Sequence, residues 1–283
     1  MARRHVVQLI SGLAYNLYIP GFAQGKIYRG ESKAVCVPGL NCYSCPGAVG
    51  ACPIGSLQSA LSGVSPRIPF YVVGLLLLFA LLFGRFICGW LCPFGFIQEL
   101  IYKLPLPKLR KLALFAWLKW LKYAIALVFV IMLPLVFYLM NGIGEPAFCE
   151  YICPAGTFEA ALPLFAVNSS LRQAAGWITV LKLSLLAVTI MAAMVIYRPF
   201  CRFICPLGAF YGLFNKLAAF GIAVDAERCT HCGACQAVCP MDVKIAGDRE
   251  CISCGKCQTH CRTQAIYYRN PIARTNPTEV KGE

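Results

Sequence analysis

Charge is scarce in this sequence, and several groups that usually carry chemistry are missing. Only 13% of the 283 residues are charged, against 59% hydrophobic, and mean hydropathy is +0.65. That balance belongs to an integral membrane protein rather than a soluble domain. There are three histidines, His5, His231 and His260. None lies within an apolar run and no Cys-x-x-Cys-His occurs, which argues against haem chains in a bilayer. No strand-led Gly-x-Gly-x-x-Gly is present to cradle a dinucleotide. The apolar runs hold almost no acids, and intramembrane proton relays need them, so ion pumping is disfavoured.

What is present begins with four apolar runs, at residues 6–22 (interrupted by Asn16), 69–83, 123–140 and 177–197. A hydrocarbon core of about 30 Å needs about 20 helical residues. The last two runs meet that length; the first two need their flanks. No small-residue cleavage site follows the first, so it does not read as a signal peptide. The net charge of +14 would suit nucleic acid, but its placement does not. Lys103, Lys108, Arg110, Lys111, Lys119 and Lys122 gather between the second and third runs, with Glu99 the acid among them, and Arg3 and Arg4 precede the first run. Residues 141–176 carry Glu145, Glu150 and Glu159 against Arg172. This is the positive-inside pattern for a four-span protein of the prokaryotic cytoplasmic membrane with both termini cytoplasmic. The 25–67 loop is mixed, with Lys26, Arg29, Lys33 and Arg67 against Glu31. Trp90, Trp120 and Trp177 read as interfacial anchors, and Trp90 also stands between two cysteines.

Cysteine is abundant, with 18 residues, and its spacing is specific. CTHCGACQAVCP supplies Cys229, Cys232, Cys235 and Cys239; CISCGKCQTHC supplies Cys251, Cys254, Cys257 and Cys261. Each is the C-x2-C-x2-C-x3-C run of a two-cluster ferredoxin, in which the fourth cysteine serves the other cluster. Cys229, Cys232, Cys235 and Cys261 are thus expected around one [4Fe-4S] cubane, and Cys251, Cys254, Cys257 and Cys239 around the second. A zinc module would use the same ligands, but doubled spacing of this kind is not a zinc pattern. His231 and His260 read as spacers.

Three further motifs follow apolar runs: CGWLCPFG, CEYICPAG and CRFICPLG. All read C-x3-C-P-x-G, and GACPIG at 50–55 is a partial copy, so repeated helix–loop units are expected. Proline after the second cysteine blocks continuation of the preceding helix, and the glycine allows a tight turn. With the termini inside, Cys88, Cys92, Cys201 and Cys205 share the cytoplasmic face and form one ligand set. Cys36, Cys42, Cys45, Cys52, Cys149 and Cys153 fall on the other face. Pseudo-symmetry pairs Cys149 and Cys153 with Cys52 and either Cys42 or Cys45. Alternatively the upstream four hold a cluster alone, or the outer thiols form disulfides.

The Cys-x3-Cys-Pro motifs and the ferredoxin runs together resemble the NapH and NosR C-terminal family of polytopic membrane iron–sulfur proteins. The resemblance covers most of the chain. It implies quinol oxidation or electron delivery across the cytoplasmic membrane, with periplasmic reductases or FMN flavoproteins as partners and quinone as a further candidate cofactor. The chain departs from that family in lacking the extracytoplasmic FMN domain of NosR, and in its cysteine-rich segment at 36–52 and its third motif at Cys149 and Cys153.

The expected architecture is an all-helical membrane domain of about four spans (1–220), a small α+β ferredoxin-like domain (221–270) and a tail (271–283). The expected activity is transmembrane electron transfer through four [4Fe-4S] clusters, two in the ferredoxin domain and one at each membrane face. A cytoplasmic carrier such as ferredoxin and an extracytoplasmic redox protein would be the partners, with no nucleic acid. The alternatives are a quinol dehydrogenase subunit and a cluster-binding redox sensor.

Overall fold

The computed structural model describes residues 2–63, 66–110 and 113–270; Lys111 and the expected tail at 271–283 lie outside them. Seven helices and one small sheet position everything that follows: α1 (Ala2–Tyr15), α2 (Pro53–Leu61), α3 (Phe70–Leu82), α4 (Pro93–Tyr102), α5 (Leu114–Asn141), α6 (Trp177–Val195), α7 (Pro206–Phe214), β1 (Gly221–Val224) and β2 (Ile266–Arg269).

Two helices are long and apolar enough to cross a membrane, α5 with 28 residues and α6 with 19. Leu127, Ile131, Leu135 and Leu139 of α5, and Val180, Val188 and Met191 of α6, remain exposed. An aqueous surface rarely leaves apolar area of that extent bare. A wide π turn over Ala126–Met132 interrupts α5. Pro134 follows it and offers no N–H to the preceding turn, which accounts for the break. Gly142, with φ of 72°, ends the helix.

The other two expected spans are shorter. The 6–22 run breaks at Tyr15 and resumes as a separate turn at Pro20–Gln24. Helix α3 has 13 residues, about 20 Å of rise, and stops where Gly84 adopts a φ of 48°. Helix α1 is not a plain lipid-facing rod either. Arg4, Gln8 and Ser11 are buried along one stripe, the spacing that puts side chains on a single helix face. Gln8 donates to the Gly89 carbonyl at 2.9 Å and Ser11 to that of Leu91 at 3.1 Å.

Two residues counted above as loop charges prove to be interior. Glu99 lies on α4 with a side chain 3% exposed, ion-paired to Arg4 at 2.7 Å. Lys122 lies on α5, wholly buried, and meets Glu250. Charge counting placed both in the loop between spans; tertiary pairing took them out of water.

The ferredoxin-like part is pinned by its antiparallel pair, with Gly221 opposite Arg269 and Val224 opposite Ile266. It is docked rather than tethered. Asn215 at the end of α7 donates to the carbonyls of Asp248 at 2.7 Å and Cys251 at 3.0 Å. Trp90 donates its indole N–H to the Ser253 carbonyl at 2.9 Å, and Arg202 pairs with Asp242 at 2.8 Å. One apolar core runs from Ile87, Phe94 and Phe200 through to Met241, Val243 and Ile252. The tightest contact is backbone on backbone: a Cβ on Gly89 would stand 2.0 Å from the Ile252 carbonyl oxygen. Gly89→Ala is therefore expected to lift the domain off its seat, read as lost amide-exchange protection across residues 251–254. Gly74→Ala, which meets nothing within 4 Å, leaves that protection intact.

Buried Gln58 performs a similar clamp elsewhere, donating to the Phe129 carbonyl at 2.8 Å and accepting from the Cys149 N–H at 3.1 Å. Gln58→Leu orphans both groups and should cost about 1–3 kcal/mol for each, measured as lowered thermal stability in detergent.

Candidate functional site

The four Cys-Pro-x-Gly steps share one backbone geometry. Cys52, Cys92, Cys153 and Cys205 each occupy the N-cap of the following helix in extended conformation, with proline at the first helical position. The proline thus starts a helix rather than only stopping one, since its fixed φ suits that position and its missing N–H is not needed there. The free N–H groups of the new helix turn toward the sulfur. Gly208 donates to the Cys205 sulfur at 3.4 Å, and the amides of Gly95, Gly156 and Gly55 serve Cys92, Cys153 and Cys52. The glycine of each motif is the residue whose N–H meets the thiol, and its missing Cβ leaves room for a second motif.

Cys88, Cys92, Cys201 and Cys205 come together as one buried quartet. Burial pushes the Cys205 thiol well up, and Cys201, Cys88 and Cys92 each add to the effect. Gln98 donates to the Cys201 sulfur at 3.2 Å and accepts from the Phe200 N–H at 3.1 Å.

On the other side, Cys149 is raised by burial and then by Cys153, Cys52 and Cys42. Those four thiols therefore form the second quartet, with Cys42 rather than Cys45 as the upstream member. Gly156 has the Cys42 sulfur 3.4 Å from where its Cβ would be. Glu159 accepts from the Cys42 N–H at 2.7 Å, and burial pushes its carboxyl up to about 8. Cys45 and Cys36 are turned to other partners: Cys45 to the Asn16 side chain at 3.4 Å and Cys36 to the Ser56 hydroxyl at 3.5 Å. All eighteen cysteines are free thiols.

In the ferredoxin part, Cys257 is pushed up to about 12 by burial and by Cys251, Cys254 and Cys239, so the four thiols of the crossed set are neighbours. For the partner set, the turn carrying Cys235 packs on the Gln258–His260 turn that leads to Cys261, while Cys232 is exposed. His260 bonds to the Lys256 carbonyl and Thr259, as a spacer would.

The quartets are linked by short stretches of chain. Adjacent residues serve both membrane sets: the Leu40 amide reaches Cys92 and the Asn41 amide reaches Cys52. Tyr211, buried between them, is raised by burial and then by Cys88, Cys52 and Cys92, and donates to the Pro38 carbonyl at 2.9 Å. Gly89 and Trp90, between Cys88 and Cys92, carry Ile252 and Ser253, between Cys251 and Cys254.

Residues of this kind fit iron–sulfur clusters. Among the described residues no three His, Cys, Asp or Glu groups converge closely enough for a single ion. Zinc would draw its sulfurs to about 2.3 Å from one centre, whereas a cubane binds each thiolate at a separate iron. Buried thiols raised by one another need a soft cationic core and N–H donors to ionise, and each Cys-Pro step already supplies the donors. The sequence reading missed Arg85, Arg198, Gln98, Glu250, Tyr211, Leu40 and Asn41. One signal was visible: an arginine stands three residues before both Cys88 and Cys201, in RFIC and RPFC, whereas PAFC has none.

Comparison with known proteins agrees with this chemistry. A family model described as a 4Fe-4S binding domain matches three stretches, residues 68–111, 123–165 and 178–223, each holding one Cys-x3-Cys-Pro motif. A second model of the same description matches residues 220–241. An uncharacterized protein of Methanocaldococcus jannaschii, MJ0750, is 31% identical over 66% of this chain and 73% of its own length. The methylamine utilization ferredoxin-type protein MauN of Methylorubrum extorquens is 29% identical over 66% of this chain and 59% of its own. The ferredoxin-type protein NapH of Haemophilus influenzae is 24% identical over 59% and 51%. The match thus spans well under two thirds of MauN and about half of NapH. No solved structure matches. The chain belongs to a family of ferredoxin-type membrane-associated proteins with 4Fe-4S domains, and it is an electron-transfer protein built around those domains.

Proposed function

We propose that this protein carries electrons across the cytoplasmic membrane through four [4Fe-4S] clusters. Cys229, Cys232, Cys235 and Cys261 hold the entry cluster; Cys251, Cys254, Cys257 and Cys239 hold the second; the Cys88 quartet holds an inner membrane cluster and the Cys42 quartet an outer one. When bound, the clusters supply one-electron redox chemistry. The chain's own part is to hold them in sequence and shield them from water. The observation that carries this reading is continuity: one docked loop joins the second set to the inner quartet, and one dipeptide joins the inner quartet to the outer.

Tunnelling falls steeply with distance, so clusters at opposite edges of a 30 Å core would couple poorly. A 13-residue α3 and the inward fold of residues 36–52 are the means by which the ligand loops enter the bilayer. In this reading α1 and α3 complete a four-span arrangement with both termini cytoplasmic. The exposed Cys232 end faces a soluble donor such as a ferredoxin. The outer quartet faces an extracytoplasmic acceptor, for which an FMN flavoprotein is the candidate.

A second reading, quinol oxidation, is favoured by one feature. A cavity of about 770 Å³ opens around the outer quartet, lined by Cys42, Cys52, Cys149 and Cys153 themselves and by Ile54, Val72, Phe148, Leu164 and Phe165; a cluster would fill part of it, and the apolar side beyond the thiols has the lining of a small-molecule site. In that case electrons enter from the membrane and quinone joins the cofactors.

Four cubanes require about sixteen iron atoms per chain, and iron and sulfide analysis of anaerobically purified protein is expected to find them. About eight would remove the membrane clusters. Cys92→Ser should lose the iron of one cluster and keep the ferredoxin signals. In sealed vesicles, reduced ferredoxin on one side should reduce a flavin acceptor on the other without added quinone. Transfer that requires quinol decides for the second reading.

A further inference from the structure

Two buried ionic triads flank the inner quartet, and electron transfer as described above assigns them no part. Glu99 is shared by Arg4, at 2.7 and 2.9 Å, and by Arg198, at 2.8 Å. Glu250 is shared by Arg85 and by Lys122, the latter at 2.7 Å. The side chains of Arg85, Arg198 and Lys122 are 0% exposed. Each triad sets two cations against one carboxylate and so buries one surplus positive charge. An uncompensated buried charge is strongly destabilising, so both surpluses call for a common counter-charge nearby.

Their geometry points at the quartet. Arg85 donates to the Cys201 carbonyl at 3.1 Å, and Arg198 donates to the Cys88 carbonyl. Each arginine thus stands three residues before the first cysteine of its own motif and reaches the first cysteine of the other. At one of the two the motif glycine makes room for the exchange: a Cβ on Gly95 would lie 2.8 Å from Arg198, whereas one on Gly208 would meet Arg85 at an ordinary 3.6 Å. Arg198 holds a left-handed φ of 49° to do this, a conformation that costs a non-glycine residue free energy and persists where the surroundings enforce it. Tyr197 donates to the same Glu99.

Four thiolates around an oxidised cubane, whose core is 2+, leave two negative charges, and reduction by one electron adds a third. The two triads supply two positive charges. Among the described residues the outer quartet has no arginine triad. Pro146 stands where the arginine would be; the groups near the quartet are buried Lys33, which acts on Cys42, the Glu159 carboxyl on the Cys42 N–H and Lys182, which donates to the Cys149 carbonyl at 3.3 Å. Net charge is one of the terms that sets a cluster's potential, and buried charges are little screened by salt.

We propose that the Arg4–Glu99–Arg198 and Arg85–Glu250–Lys122 triads raise the reduction potential of the inner cluster, so that this site holds its electron more firmly than four buried thiolates alone would. This rests on the Cys88 quartet binding a cluster. The triads are positioning groups that act through charge.

The test is an anaerobic redox titration of the full, cluster-loaded chain, followed by electron paramagnetic resonance, with iron content measured on each sample. The inner cluster is the one lost in Cys92→Ser. Lys122→Met and Arg4→Gln each remove one positive charge without touching the bonds of Arg85 and Arg198 to the Cys201 and Cys88 carbonyls; Arg4→Gln also gives up the Arg4 bond to the Gly89 carbonyl at 3.2 Å. Either should change the oxidised-to-reduced ratio of the inner cluster at least tenfold toward oxidised at fixed ambient potential, 59 mV for one electron. Iron content and the other potentials should hold. Arg198→Lys, which keeps the charge, should stay within about threefold of wild type, whereas Arg198→Gln should shift as the others do. Full iron with an unmoved potential in both Lys122→Met and Arg4→Gln overturns the proposal. So does equal cluster loss in Arg198→Lys and Arg198→Gln, which marks a brace and nothing more. If Cys92→Ser loses no iron, the cluster assignment itself falls, a result separate from the other two.

Discussion

Thiolates buried in an apolar helical bundle repel one another, and no water is at hand to screen them. Nearly every local feature of this protein follows from accommodating that. The second cysteine of each membrane motif sits at a helix N-cap, where unpaired amides converge on the sulfur. The proline that follows fixes the first helical residue without wasting a donor. Around the inner quartet, arginines from each motif cross to the carbonyls of the other. The bundle therefore cannot assemble its cysteines without also assembling its cations.

The same constraint explains why the ferredoxin-like part is seated rather than loosely linked. Glu250 lies one residue before Cys251 and completes the triad of Arg85 and Lys122. The carboxylate that tempers the inner arginine is thus delivered by the neighbouring domain. Packing of Ile252 on Gly89 and the indole bond from Trp90 then fix the loop between two cysteines of one set against the loop between two cysteines of the next. Burying a carboxylate beside two cations is a costly way to hold two domains together, and the placement beside the quartet gives it an electrostatic purpose.

The asymmetry between the two membrane quartets comes from the same chemistry. Three motifs share the cysteine–proline–glycine frame, but two carry the leading arginine and the third does not. The outer set borrows Cys42 and Cys52 from a separate segment and has a carboxyl, Glu159, at its edge. Its cations are lysines, Lys33 near Cys42 and Lys182 at the Cys149 carbonyl, so the duplicated frame carries its charges in differently built surroundings.

The sequence by itself determined the cysteine runs, the two long apolar helices and the internal repeat, and it placed Cys239 with Cys251, Cys254 and Cys257, which the fold makes neighbours. These are local: each is written in spacing, and spacing survives without a fold. It also narrowed the outer set to Cys42 or Cys45. Only the tertiary structure brings Cys42 beside Cys52, Cys149 and Cys153, because that depends on which thiol of the 36–52 segment the folded loop turns toward Gly156 and which it turns toward Asn16. Tertiary structure likewise withdrew Glu99 and Lys122 from the solvated loop where charge counting had put them, and paired them across about a hundred residues or more of chain. A charge in isolation reads as surface. Whether it is buried depends on a partner that no local pattern names, and here the partners are supplied by α1, by the motif arginines and by the docked domain.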